Sequence, residues 1–193
     1  EGMIASAKSS FSLDATTFEN NGKRYLIWAQ NVRGEDHGTA LVLSEMKDPT
    51  TIIGREVVLT EPEFNWERMK YNVNEGPAVI KRNGKIFVTY SASATNHNYC
   101  MGMLWIDEND DLLDAANWHK SPGPVFYTNE DLKRFGPGHN SFTIAEDGET
   151  VIMIYHARDY KGIQGHELSD PNRATRARVV EWTASGFPDF MQN

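Results

Sequence analysis

Cysteine is almost absent from this sequence, since Cys100 is the only one in 193 residues. A single cysteine excludes an internal disulfide framework and a metal site built from cysteines, and it leaves the redox compartment undecided. Free cysteine behaves in most folds as a small buried hydrophobic residue, and we expect this of Cys100.

Clusters of positive charge and long apolar runs are missing too. The formal net charge is −8. Because nucleic-acid backbones require a basic surface, we expect no nucleic-acid partner. No apolar run approaches the roughly 20 residues of a membrane span, so we expect no membrane partner. The first residues, EGMIASAKSS, lack the regions of a signal peptide. The location therefore stays open between the extracellular space and a bacterial cytoplasm.

Helical periodicity is nearly absent, whereas the chain has 15 glycines, 8 prolines and 11% aromatic residues. Three similar segments begin at Asp14, Glu75 and His139: DATTFENNGKRYLIWAQ, EGPAVIKRNGKIFVTYSA and HNSFTIAEDGETVIMIYHA. Each predicts a hairpin, because its Asn-Gly or Asp-Gly turn tolerates positive φ. Their recurrence favours a repeat architecture.

Each hairpin is followed by a third apolar stretch (TALVLSEM, YCMGMLWI, TRARVVEW) and a weaker fourth one (REVVLTE, SPGPVF, GFPDF). Four strands per unit are typical of a β-propeller blade. The sequence predicts an all-β chain of three four-stranded blades, with units of about 11–70, 71–135 and 136–193. We expect DLLDAANW and NEDLKRF to form single helical turns. An immunoglobulin-like sandwich also has short strands, but it does not explain three similar units that open with a polar residue.

The first strand of each propeller blade lines the central channel, so Asp14, Glu75 and His139 are expected to meet near one axis. Two carboxyl groups and an imidazole in a concave site are the groups that acid–base catalysis uses. Taken singly, Asp14 also fits a strand-start cap, and His139 a structural imidazole. Glu75 is harder to explain in this way, because glutamate is a poor strand residue and Gly76-Pro77 is an unusual continuation.

At these residues the sequence resembles glycoside hydrolase family 43, whose members are five-bladed propellers. The resemblance rests on SLDATTFENNGKRYLIWA, NEGPAVIKRNGKIFVTYS and GPGHNSF, and it covers nearly the whole chain. It implies the three C-terminal blades of a catalytic domain. It also implies that Glu75 is the general acid, that Asp14 tunes its pKa, and that His139 contacts a calcium ion in the channel, directly or through water.

The tail from Tyr155 resembles arabinofuranosidase members more than β-xylosidases. This implies an inverting enzyme that removes terminal α-L-arabinofuranosyl residues from arabinan- or arabinoxylan-type oligosaccharides and polysaccharides. We expect substrate contacts from Arg176, Phe11 and Tyr99. Arg173 is an alternative to Arg176, and both also fit solvent-facing strand positions. Four other aromatic residues are expected in the core: Trp28, Tyr90, Trp105 and Trp182.

The resemblance further implies a general base about two blades upstream of Asp14, but only 13 residues precede it. Inverting hydrolysis needs a second carboxylate across the scissile bond. The remaining loop aspartates are expected to be solvated acids without this role: Asp36, Asp107, Asp110, Asp111 and Asp170. We therefore expect a general acid whose base lies on N-terminal blades outside this sequence.

Two classes of function remain open. One is an arabinofuranosidase completed by other blades, with a β-xylosidase or arabinanase of the same family as variants. The other is a non-catalytic carbohydrate-binding or assembly propeller. In either case the two outer blade faces should be covered by complementary N-terminal blades or by a second copy of the chain. The residues expected on these faces are Leu26, Trp28, Ile154 and Tyr155.

Overall fold

The computed structural model describes residues 2–34 and 38–190, and their regular structure is almost entirely β-strand. The first sheet consists of β1 (Ser12–Asn20), β2 (Lys23–Gln30), β3 (Ala40–Asp48) and β4 (Thr51–Thr60). Its strands are antiparallel and follow in chain order. The turn between β1 and β2 is tight because Asn21 and Gly22 have positive φ, 48° and 74°.

The second sheet repeats this plan with β5 (Asn74–Arg82), β6 (Lys85–Ala92), β7 (Cys100–Asp107) and β8 (His119–Lys120). The helical turn predicted within 111–118 forms as a 3-10 helix at Ala115–Asn117. The one predicted within 129–135 is instead a turn closed by a bridge between Asn129 and Arg134. A 3-10 helix at Asn65–Glu67 has no counterpart in the sequence prediction. Within the described residues, no helix is long and apolar enough to span a membrane.

The third unit has a three-stranded sheet of β9 (Phe135–Ile144), β10 (Val151–Arg158) and β11 (Ala174–Val179). The chain then forms a two-stranded ribbon, β12 (Glu181–Trp182) and β13 (Pro188–Asp189). GFPDF thus contributes β13, which pairs with β12, and does not add the predicted fourth strand beside β11. The reason is a tight turn at Gly186, where φ is 79°. Trp182 and Phe187 of the ribbon pack on Phe87 of the second sheet.

Two apolar layers join the three blades. Ile27 and Leu43 of the first sheet and Ile86 of the second belong to one cluster, and each is 0% exposed. Met101 of the second sheet and Met153 of the third are also 0% exposed and belong to the next cluster. Burial of a side chain of this size contributes roughly 1.5–3 kcal/mol. Packing between blades therefore holds the innermost strands side by side.

The predicted core residues behave largely as expected. Trp28, Tyr90 and Cys100 are buried, while Trp105 and Trp182 are partly buried against the second cluster.

Three of the four residues expected on outer faces that a partner would cover are already buried within this chain: Leu26, Trp28 and Tyr155 are 7%, 5% and 7% exposed, whereas Ile154 is partly exposed. Leu26 and Trp28 pack with Val42 in a cluster on the first blade, beside a segment that includes Ile4. Tyr155 packs edge-on against Phe126, a buried residue between β8 and β9.

Each innermost strand contains a β-bulge at the same place. Between two ladder pairs, β1, β5 and β9 each have one residue more than the neighbouring strand. The first bulge residue has positive φ in every case: 55° for Asp14, 56° for Gly76 and 49° for His139. Glycine is usual at this position, because an L side chain in the left-handed region costs about 1–2 kcal/mol. A bulge bends its strand and re-aims the side chains beside it.

The bulges correct the predicted equivalence of the three site residues by one position. Asp14 and His139 are the left-handed residues of their bulges, but Gly76 takes that place in β5, and Glu75 precedes it as a regular partner of Ser91. The sequence alignment missed this shift because it paired the first polar residue of each unit.

A buried carboxylate ties the start of β5 to the rest of the second blade. Glu67 is 0% exposed and accepts hydrogen bonds from Asn74 Nδ2 at 3.0 Å, Tyr90 Oη at 2.9 Å and Lys120 Nζ at 3.0 Å. Removing one partner of a buried charge pair is costly, because the other charge is left uncompensated. The network therefore fixes Asn74, and with it the neighbouring Glu75.

The left-handed bulge predicts the relative stability of two variants. His139→Gly should be about 1 kcal/mol more stable than His139→Ala, because glycine has no Cβ to clash at positive φ. Both variants lose the ring, so their difference in unfolding free energy, measured by chemical denaturation, isolates the backbone. In the control pair at Thr143, an exposed position of β9, alanine should be the more stable by about 0.5–1 kcal/mol. Equal stability of the two variants at 139 would contradict the bulge.

Candidate active site

Side chains from three blades meet where the bulges lie. An oxygen of Asp14, an oxygen of Glu75 and a ring nitrogen of His139 all lie within 4.8 Å of one another. The convergence predicted from the sequence is confirmed. Two features of the fold produce this convergence: packing between blades aligns the innermost strands, and the bulges re-aim the side chains beside them.

Glu75 is largely buried, and its Oε1 accepts a hydrogen bond of 2.6 Å from the hydroxyl of Tyr99. Burial raises the pKa of Glu75 above its ordinary value, and the negative charge of Asp14 raises it further. The hydrogen bond from Tyr99 opposes this shift, because it stabilises the carboxylate. Glu75 is thus a carboxyl group biased towards its protonated form.

Asp14 is fixed from the neighbouring blade. Its Oδ2 accepts a hydrogen bond of 3.0 Å from the backbone N–H of Gly76, and its Oδ1 lies 3.8 Å from Nε2 of His139. The backbone N–H of His139 donates to Ser91 Oγ at 2.6 Å. A Cβ at residue 76 would lie only 3.2 Å from the His139 ring. Gly76 therefore serves the site twice, as a donor to Asp14 and as space for His139.

Tyr99 and Phe11 lie in contrasting places. Tyr99 was expected to contact substrate at the channel mouth, but it is only 1% exposed and its hydroxyl is bound to Glu75. Tyr99 directly precedes β7 and is buried, so its hydroxyl reaches the Glu75 carboxyl group and not the solvent. Phe11 is 67% exposed just before β1, and its contact with substrate stays a prediction.

Of the two tail arginines, Arg176 is already engaged by other groups of the chain. Its guanidinium binds Asp159 at 2.5 Å and the backbone oxygen of Lys133 at 3.1 Å, and its contact with substrate stays a prediction. Arg173 instead lines a pocket beside His139, and its charge lowers the pKa of Glu75. Only three positions separate Arg173, the last loop residue before β11, from Arg176 within β11, so sequence alone could not select between them.

The pocket beside His139 has a volume of about 460 Å³ and contains a residue that sequence reasoning missed, His156. The His156 ring is stacked 5.6 Å from that of Tyr99 and 6.4 Å from that of His139. Burial and the nearby charge of Arg173 lower the pKa of His156 to about 4. The available signal was a histidine inside the apolar strand VIMIYHA.

The loop that carries Arg173 is anchored by a buried guanidinium. Arg158 is 2% exposed and donates to the backbone oxygens of Thr95 at 2.7 Å and Glu167 at 2.8 Å. The Glu167 carboxylate in turn binds Lys70, in the connection that leads to the second blade, at 2.7 Å. These contacts hold the loop between β10 and β11 against the second blade, which positions Arg173 beside the pocket.

The other aspartates considered as bases are occupied or remote. Asp170 accepts hydrogen bonds from the backbone N–H of Asn172 and the hydroxyl of Tyr160, and both contacts lower its pKa. A carboxylate held by donors in this way is a poor proton acceptor. Of the remaining four, Asp107 is the last residue of β7, Asp110 and Asp111 follow that strand, and Asp36 lies outside the described residues.

Calcium, expected near His139, finds few of its preferred ligands here. Ca²⁺ takes six to eight oxygen ligands, whereas this cluster offers two carboxylates and a ring nitrogen. One of the two, Glu75, is already held by Tyr99. The donor set does not fit direct calcium binding, and contact through water stays a prediction.

Comparison with known proteins assigns the chain to a family. The model for glycosyl hydrolases family 43 matches residues 1–188. The chain belongs to glycosyl hydrolase family 43. Its relatives include an extracellular exo-α-(1→5)-L-arabinofuranosidase of Streptomyces avermitilis, 54% identical over 190 residues, and α-L-arabinofuranosidase 43 of Humicola insolens, 49% identical over 191 residues. Each alignment covers 98% of this chain and 40% of the relative.

Solved structures agree on the fold of this family 43 chain. The crystal structure of an α-L-arabinofuranosidase from Lactobacillus brevis is 49% identical, with a TM-score of 0.95. The match covers 98% of this chain and 58% of that one. The chain is therefore an all-β part of a five-bladed propeller, and it spans less than two thirds of these relatives.

The raised pKa of Glu75 predicts a pH-dependent difference in stability between the chain and Glu75→Gln. A carboxyl group with a raised folded-state pKa contributes stability that is fully present below its unfolded-state pKa and is lost as pH rises through the folded-state pKa. We therefore expect Glu75→Gln to gain stability relative to the parent as pH rises from 4 to 8. The gain should be about 1.4 kcal/mol for each unit of pKa shift.

Denaturant unfolding at several pH values measures this difference, and Glu130→Gln, at an exposed ion pair with Lys161, is the control. A difference between parent and Glu75→Gln that stays constant with pH would contradict a raised pKa.

Proposed function

We propose that this chain carries the general acid of an inverting α-L-arabinofuranosidase, with Glu75 as the acid and Asp14 as the residue that tunes it. The observation that carries the proposal is the environment of Glu75: a largely buried carboxyl group beside a second carboxylate, with one oxygen held by Tyr99. A general acid in glycoside hydrolysis needs such a raised pKa to remain protonated near neutral pH.

In the proposed reaction the proton of Glu75 passes to the glycosidic oxygen as the bond from that oxygen to the anomeric carbon breaks. A water molecule attacks the anomeric carbon from the opposite face and loses a proton to a general base. The products are arabinose of inverted configuration and the shortened glycan. Because Tyr99 donates to Oε1 of Glu75, Oε2 is the oxygen that carries the proton.

Asp14 is too close to Glu75 to be that base. Inverting enzymes hold their carboxyl groups about 6.5–9.5 Å apart to admit a water, whereas the two carboxylates here approach within 4.8 Å. We therefore place the base on blades outside this sequence. The same blades would cover the outer faces of the first and third blades. A second copy of the chain is the alternative partner.

Arabinose-containing glycans are the proposed substrates, because relatives about half identical to this chain are named arabinofuranosidases. An extracellular location is proposed from the name of one of them. A β-xylosidase, an arabinanase or a non-catalytic carbohydrate-binding propeller are the other outcomes that the assay must separate.

The test uses a reconstituted propeller, in which the chain is joined to the part of the Lactobacillus brevis relative that it does not cover. We expect the reconstituted propeller to cleave 4-nitrophenyl α-L-arabinofuranoside and not the β-xyloside, and the chain alone to be inactive. Glu75→Gln should slow substrates with poor leaving groups by at least about 100-fold, because they depend on proton donation, while the control Glu130→Gln should not.

Proton NMR of the first product settles the stereochemistry, and β-L-arabinose is expected. Retention of configuration would contradict the inverting assignment and make Asp14 a candidate nucleophile. Turnover by the chain alone would show that its own residues include a base.

A further inference from the structure

His156 is a histidine of the pocket wall to which the proposed mechanism gives no role. It lies in β10, and its ring is sandwiched between Tyr99 and His139. Both ring nitrogens are buried, and within residues 2–34 and 38–190 neither has a hydrogen-bond partner. Buried polar atoms in native proteins nearly always have one. The two nitrogens therefore leave a donor and an acceptor that a bound molecule could satisfy.

The pocket indicates the chemistry of that partner. A neutral imidazole offers one donor and one acceptor, which matches a hydroxyl group. Arg173 and Thr175 add polar groups to the same pocket, while Pro171 and the 62% exposed Leu168 add apolar surface. Polar groups that converge beside an apolar surface suit a sugar ring, which has both hydroxyl groups and C–H faces. The volume of about 460 Å³ lies in the range of small-molecule sites.

The pocket is also linked to the acid by two sets of contacts. Tyr99 stacks on His156 and donates its hydroxyl to Glu75, and the His139 ring that flanks His156 lies in the Asp14–Glu75 cluster. We propose that His156 binds a hydroxyl group of the sugar substrate and so contributes to specificity. The proposal rests on the proposed function of this site. The hydroxyl belongs either to the terminal arabinosyl unit, which is released as arabinose, or to the neighbouring sugar, which is the leaving group.

Two substitutions separate hydrogen bonding from packing. His156→Phe keeps an aromatic ring against Tyr99 but removes both nitrogens, and His156→Gln restores a donor and an acceptor. His119→Phe is the matched control, because His119 is an exposed histidine that stacks on Trp105 of the second blade, 5.5 Å away. All variants are made in the reconstituted propeller and compared on 4-nitrophenyl α-L-arabinofuranoside and on 1,5-α-L-arabinobiose.

We expect kcat/KM of His156→Phe to fall about tenfold, mainly through KM, and to recover in part in His156→Gln. An equal fall on both substrates assigns the hydroxyl to the released arabinosyl unit, and a fall on arabinobiose alone assigns it to the leaving sugar. The proposal is overturned if His156→Phe stays within about twofold of the parent on both substrates. It is equally overturned if the Phe and Gln variants lose the same amount, since that indicates packing.

Failure of the proposed function looks different, because the unsubstituted reconstituted propeller would then cleave neither substrate. In that case L-arabinose is titrated into the chain and the ring ¹⁵N signals of His156 are followed by NMR. Shifts of these signals that saturate with L-arabinose support the proposal, and signals that do not move overturn it.

Discussion

Three separate blades have to bring a carboxylate, a carboxylic acid and an imidazole within 4.8 Å of one another. A regular strand is poorly suited to this, because successive side chains point to opposite faces of its sheet. The left-handed bulge in each innermost strand provides the extra freedom, and two of the three bulges hold a non-glycine residue at positive φ. Backbone strain of this kind persists where the surrounding structure determines it. Here the blade packing and the hydrogen bond between Gly76 and Asp14 do so.

The same arrangement divides the carboxyl groups of the chain into distinct classes. Glu67 is fully buried but surrounded by donors, and Asp170 is held by hydrogen bonds that lower its pKa. Glu75 has one donor, Tyr99, and a negative neighbour, Asp14, so burial and charge together favour its protonated form. The environment of each group, more than its residue type, separates structural carboxylates from the proposed acid.

Sequence reasoning reached the repeat, the hairpins and the convergence of Asp14, Glu75 and His139, because Asn-Gly turns and strand patterns are local signals. It misplaced Glu75 by one position relative to the bulges, since a bulge residue is recognisable only from pairing with the next strand. The different settings of Arg173 and Arg176 were hidden for a similar reason, because a 15-residue loop folded around Arg158 decides which guanidinium lines the pocket. His156 and the role of Tyr99 depend on packing between blades, which no local pattern encodes.

The most direct measurement is a carbon-13 NMR titration of the Glu75 carboxyl group in the chain and in Asp14→Asn. Asparagine keeps an acceptor for the Gly76 N–H but removes the charge. We predict a pKa for Glu75 above the ordinary glutamic acid value in the parent, and a lower one in Asp14→Asn, with no change in the exposed control Asp110→Asn. A Glu75 that titrates at its ordinary pKa and ignores the loss of the Asp14 charge would contradict the paired, buried acid.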